Sequence, residues 1–135
     1  MKTRTVGGIV SVFVVISLLA GTAFAHHSFT AEYDRSKPVK LVGKVTLMKF
    51  ANPHAWVYVD VDTNGKIVNW ALETGSGNQL IRSGWRPEDL KIGTVLLVDG
   101  WQARSGKPVA NVSSITFSDG KRLFAGSPEK EAPKQ

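Results

Sequence analysis

From Val39 the chain alternates with a period of two: Leu41, Gly43, Val45 and Leu47 fall on one face, and Lys40, Lys44 and Thr46 on the other. This is the mark of a strand with one buried face, and it predicts a first strand beginning at residue 39. A second alternation follows, with His54, Trp56, Tyr58 and Asp60 set against Ala55, Val57, Val59 and Val61. It runs into Asp62-Thr63-Asn64-Gly65, a turn signal, and then Ile67 to Glu73 alternates again with Val68, Trp70 and Leu72 as its apolar set. Treating all four turn residues as the loop pairs Val59 with Val68, Val57 with Trp70 and Ala55 with Leu72. The same count sets His54 opposite Glu73 on the other face, where facing Cβ atoms stand about 5 Å apart.

Beyond Glu73, Gly75-Ser76-Gly77-Asn78 interrupts the alternation, and Ser76 or Asn78 is placed to cap a short helix through Leu80, Ile81 and Arg82 that stops near Gly84. Trp85 is expected to pack under the turn Arg86-Pro87-Glu88-Asp89. Two further strands are expected over Thr94 to Ala103 and Val109 to Phe117, with Lys121 to Phe124 returning after Asp119-Gly120 as a short edge strand. Three strands, one short helix and two or three more strands make an all-β domain with the order of a small OB-like barrel of five to six strands, whose ligand face lies around strands two and three. An immunoglobulin-like sandwich would want about seven strands and no central helix.

The chain begins differently. Lys2 and Arg4 precede an apolar run from Val6 to Leu19 and a small-residue region ending in Ala23-Phe24-Ala25, the pattern of a secretory signal cleaved after Ala25. About 20 apolar residues can also anchor a chain in a bilayer, but Gly7, Gly8, Ser11, Ser17, Gly21 and Thr22 dilute this run. Residues 1–25 therefore read as a signal peptide, 26–38 as an N-terminal arm, 39–126 as the OB-like domain and 127–135 as a disordered tail rich in Pro, Glu and Lys. The expected destination is the bacterial periplasm, with no stable membrane anchor after cleavage.

Charge changes this picture little. The chain has 17 Lys and Arg against 11 Asp and Glu, and removing Lys2 and Arg4 leaves an excess of four, with no arginine-rich block of the kind that neutralises nucleic-acid phosphates. No nucleic-acid partner is expected. The absence of cysteine removes disulfides, thiol nucleophiles and a lipoprotein tether. Neither a nucleophile with its base nor a phosphate loop can be picked out, so the chain is not expected to be an enzyme.

Ala25-His26-His27-Ser28-Phe29, Asn52-Pro53-His54-Ala55-Trp56, Asn69-Trp70, Gly84-Trp85 and Leu123-Phe124-Ala125-Gly126-Ser127 occur in this order. With these motifs the chain resembles a family of small exported bacterial proteins catalogued as a domain of unknown function. That resemblance implies an exported single domain, and no activity comes with it.

All three histidines of the chain are placed where they could meet a metal. Cleavage after Ala25 gives His26 a free α-amine beside its ring, a ready chelate, and His54 is the second imidazole. Imidazole-rich tetragonal nitrogen sites suit Cu(II). The arrangement resembles the histidine brace of copper monooxygenases and of some periplasmic copper carriers, with His26 matching the N-terminal histidine and His54 its partner. A second mode uses the amine, an amide nitrogen and the His27 ring, with His54 in the fourth place. Glu73 stands as the acceptor that fixes the His54 tautomer, or as an axial ligand. Trp56, Tyr58 and Asn69 form a candidate ligand face beside it. Plainer roles stay open: histidines on a frayed terminus, a His54–Glu73 surface contact, and aromatic side chains that only pack. The competing readings are thus a Cu(II) carrier or accessory factor and an OB-like module binding a small ligand or a periplasmic protein, with a copper-dependent oxidase behind both.

Overall fold

The computed structural model describes residues 29–126, and within them six strands form one sheet. A single helical turn, α1 (Phe29–Glu32), leads directly into β1 (Tyr33–Lys49). Then come β2 (Trp56–Thr63), β3 (Lys66–Glu73), α2 (Gly77–Arg82), a 3₁₀ turn (Pro87–Leu90), β4 (Val95–Ala103), β5 (Val109–Phe117) and β6 (Arg122–Phe124). The sheet order is β3-β2-β1-β4-β5-β6, and a parallel pairing of Ala71–Glu73 with Val109–Asn111 joins β3 to β5. Five strands thereby close a ring in the order expected of an OB-type architecture, with α2 between β3 and β4. Closure leaves β6 as a short flank on β5.

Inside the ring lie Val45, Val57, Val59, Leu72, Leu96, Val98, Val112 and Ile115, all essentially without exposure, together with Leu80 from α2 and Trp85. Each such aliphatic side chain contributes roughly 1.5–3 kcal/mol by leaving water. Trp85, expected under the turn that follows it, is instead a fully buried core residue whose indole N–H donates to the Phe124 carbonyl at 2.9 Å. Ser76 caps α2 by accepting from the Gln79 N–H at 3.2 Å.

Three details correct the sequence reading. First, the β2–β3 loop has two residues: Thr63 pairs with Lys66, and Asn64 and Gly65 take φ of 55° and 84°. Those positive angles are what a two-residue type I′ connection requires, and the Asp62 carboxylate holds it by accepting from Gly65 N–H at 2.7 Å. The register therefore moves by two, pairing Val61 with Val68, Val59 with Trp70 and Val57 with Leu72. An even shift leaves every side chain on its expected face. Second, β1 starts at Tyr33 rather than Val39, because residues 33–38 pair with β4 through an irregular stretch that shows no alternation. Its turn-like character comes from Asp34, whose carboxylate accepts from the Ser36 hydroxyl at 2.7 Å and the Ser36 N–H at 3.0 Å. These bonds, the hydroxyl first, hold the Asp34 carboxyl below its ordinary range. Third, a bulge at Thr46 inserts one extra residue between Val45 and Leu47. Leu47, expected in the core, turns outward, and Met48 packs inward instead.

Candidate functional site

Glu73 ends β3 on the outer face of the ring, opposite Trp56 and beside Asn111 in the parallel pairing. It is nonetheless only 7% exposed. A carboxylate that deep needs hydrogen-bond donors. His54 Nδ1 lies 3.0 Å from its Oε1, the Asn111 amide donates to Oε2 at 3.3 Å, and the Tyr33 phenol stands close enough to feel the charge of the same carboxylate. Among the described residues, the one ion-pair partner of Glu73 is His54.

The expected meeting of His54 and Glu73 thus occurs, although the register assumed for it does not. Trp56 takes the directly facing position, and His54 reaches Glu73 from two residues earlier on the same face. The chain continues extended through Ala55, which donates to Gly75 O at 2.9 Å and accepts from Thr74 N–H at 3.0 Å. Ahead of His54 comes the cis Asn52–Pro53 bond, and the preceding Ala51 carbonyl accepts from Gly77 N–H at 2.8 Å, tying the loop to α2.

His54 Nδ1 faces two groups: Glu73 Oε1 at 3.0 Å and the Thr74 carbonyl at 3.2 Å. An ionised carboxylate and a backbone carbonyl only accept, so Nδ1 carries the proton, and in the neutral ring the lone pair belongs to Nε2. The His54 side chain keeps 42% of its exposure, against 10% for that of Glu73. An imidazole oriented by a buried carboxylate in this way is the outer-sphere arrangement found around metal-binding histidines. Glu73 spends both oxygens on donors from the protein, which fits the orienting role better than that of an axial ligand.

Tyr33 and Asn111 complete the cluster. Burial, reinforced by the neighbouring Glu73 carboxylate and by the charge of Glu32, pushes the Tyr33 phenol far above its ordinary range. A group whose folded pKa is raised stabilises the fold below its unfolded value and loses that contribution as pH rises above it. Stability should accordingly fall as pH rises above about 10. Urea unfolding at pH 8 and pH 11 reads this loss, and Tyr33→Phe should remove it. Asn111 gives its amide to Glu73 while its buried side-chain Oδ1 has no hydrogen-bond partner among the described residues. Buried polar atoms are rarely left so.

The arm packs over this cluster. Phe29 lies edge-on to Trp101 at 5.4 Å between centroids and 5.5 Å from Tyr33, with the Arg35 guanidinium 4.9 Å above its ring. Arg104 fastens the arm to β4 by donating to Thr30 O and, through its backbone, to Glu32 O, both at 2.8 Å. The other end of the domain arrives nearby, since Ala125 O accepts from Gly75 N–H at 2.7 Å. His26 and His27 lie outside the described residues, as do the expected signal peptide and tail. Among the described residues no group of three or more His, Cys, Asp or Glu gathers as a metal cage, and no helix is long and apolar enough to cross a membrane.

The candidate ligand face is partly committed. Trp56 and Tyr58 stand half-buried on the outer face, with the Lys49 ammonium 5.6 Å from the Tyr58 ring. Asn69 is engaged in the sheet, donating to Asp60 at 2.8 Å and to Thr46 Oγ1 at 3.1 Å. Sequence reasoning missed Tyr33, Trp101 and Asn111. Asn111 left no clear trace, because Ser113, Ser114 and Thr116 make its strand mixed in polarity.

The model of a family of unknown function, DUF6152, matches residues 14–111. The chain belongs to this family. In this DUF6152 member the matched span takes in His54, Glu73, Tyr33 and Asn111, the whole of the buried cluster. No curated protein matches the sequence.

Proposed function

We propose that this DUF6152 member is an exported, periplasmic Cu(II)-binding protein, a carrier or accessory factor, whose metal is held by the mature amino terminus at His26, the His27 ring or amide, and His54. The observation that carries the reading is the placement of His54 Nδ1 against two acceptors, the Glu73 carboxylate and the Thr74 carbonyl. Two acceptors at Nδ1 leave Nε2 as the ring nitrogen able to bind a metal, on a side chain that is still substantially exposed. The ligands are nitrogen atoms, Glu73 orients His54, and the absence of cysteine disfavours a soft Cu(I) site.

The decisive experiment is an electron paramagnetic resonance spectrum of protein beginning at His26 with one equivalent of Cu(II), beside His54→Ala and a form with one extra residue before His26. The expected result is a nitrogen-rich spectrum altered by both changes. A wild-type spectrum identical to that of His54→Ala would overturn the reading. One observation favours a second one: Trp56 and Tyr58 are half-exposed on adjacent outward positions, as a ligand-binding module would need. There, ligand binding should survive the N-terminal extension and be lost in Trp56→Ala.

A further inference from the structure

Ring closure is incomplete along β3. Only Ala71–Glu73 pair with β5, so Lys66–Trp70 has β2 on one side and, among the described residues, no strand on the other. The hairpin settles which backbone groups that open side presents. Thr63 and Lys66 flank the two-residue turn and form its closing hydrogen-bonded pair, so Lys66, Val68 and Trp70 bond to β2 and the alternate residues face away from it. Ala71 has the same phase, since its N–H leaves the β2–β3 ladder and donates to Pro108 O at 3.0 Å. Ile67 and Asn69 therefore direct their N–H and C=O groups outward, and neither finds a backbone partner there among the described residues. The Ile67 side chain beside them is 59% exposed.

Such a row of groups is a template for an extended strand. This one is short, bounded by the turn Asn64-Gly65 at one end and by the Pro108 contact at the other. It is also self-complementary. An antiparallel copy centred on Val68 sets Ile67 against the copy's Asn69, and Asn69 against the copy's Ile67, each pair exchanging both of its N–H···O bonds. Val68 then faces its own copy across the two-fold axis. Lys66 comes to stand beside the copy's half-buried Trp70, where its stem covers apolar surface and its ammonium meets the ring. The other terminal strand of the sheet, β6, is less open, because the Trp85 indole already occupies the Phe124 carbonyl. That favours a closed pairing of β3 with β3 over a running β3–β6 filament. We infer that a second copy of this chain pairs with β3 along Lys66–Trp70 and makes a two-fold symmetric dimer. The dimer does not depend on the Cu(II) reading.

Sedimentation velocity of protein beginning at His26, over a series of concentrations, should show a monomer–dimer equilibrium. Ile67→Pro removes an outward N–H and sets a ring against the edge, yet leaves the bonds to β2 alone because Ile67 does not make them, and proline is tolerated at such edge positions. Dimerisation should weaken about 10-fold or more. The cysteine-free sequence allows a second, independent reading. Val68→Cys should form an intermolecular disulfide under mild oxidation, since facing residues of a non-hydrogen-bonded pair lie about 4.5 Å apart at Cα. Val42→Cys, at an exposed position on β1, should stay largely monomeric under the same conditions. A wild-type protein monomeric at every concentration would overturn the inference, as would a dimer that Ile67→Pro leaves equally tight. Should Ile67→Pro fail to fold by circular dichroism, the crosslink decides, and disulfide dimers of Val68→Cys that form no faster than those of Val42→Cys would rule the pairing out.

Discussion

Glu73→Ala should lose about 1–3 kcal/mol of stability, because the buried Asn111 amide would be left without its acceptor. Urea unfolding of metal-free protein measures the loss, and a change below about 0.5 kcal/mol would show that water reaches this donor. The same substitution frees the His54 ring to rotate, so Cu(II) affinity should fall by about 10- to 100-fold, the usual effect of removing a group that orders a metal-binding histidine. Glu73→Gln separates the two effects. Its amide oxygen replaces only one of the two carboxylate oxygens that His54 and Asn111 use, so stability should drop less, and the ordering of His54 becomes a question of which donor it keeps.

Gly100→Ala should be about as damaging, by a different route. A Cβ built at Gly100 would collide with the Asn111 carbonyl oxygen and lie 3.2 Å from the Val112 Cα, both backbone atoms that cannot rotate away. Gly100 sits at the β4–β5 irregularity, immediately before Trp101 pairs with Asn111. The methyl group must push the two strands apart, at a cost of about 2–3 kcal/mol. For a domain of this size that lowers the melting temperature by on the order of 10–15 °C, which differential scanning calorimetry would show. A variant melting within 2 °C of wild type would mean that β4 yields without strain. Because the displaced strand carries Trp101, the arm should loosen as well.

The strands were legible because their apolar positions recur at every second residue, and burial of one face enforces that period whatever the register. This is why a loop misjudged by two residues left Val57, Val59 and Leu72 inside and still brought His54 to Glu73. An even error conserves the face. The odd insertion at Thr46 did not, and Leu47 changed sides. Nothing in the local pattern announces such a bulge, since Thr46 and Leu47 continue a plausible alternation. Tyr33 and Asn111 were beyond reach for another reason. Their part in the site depends on the β3–β5 closure and on a strand that begins among Asp34, Ser36 and Pro38, residues that by local preference form turns.

The bond from Gly75 N–H to Ala125 O has a practical meaning for anyone producing this protein. Gly75 also accepts from Ala55, the neighbour of His54, so the carboxyl end leaves the sheet two backbone bonds away from the imidazole. A polyhistidine purification tag fused after Gln135 would begin only ten residues beyond Ala125 in the sequence. Its imidazoles would compete for the same ion at high local concentration. Tag-free material, released from a fusion partner so that the chain starts at His26, is the form in which the proposed Cu(II) binding can be tested.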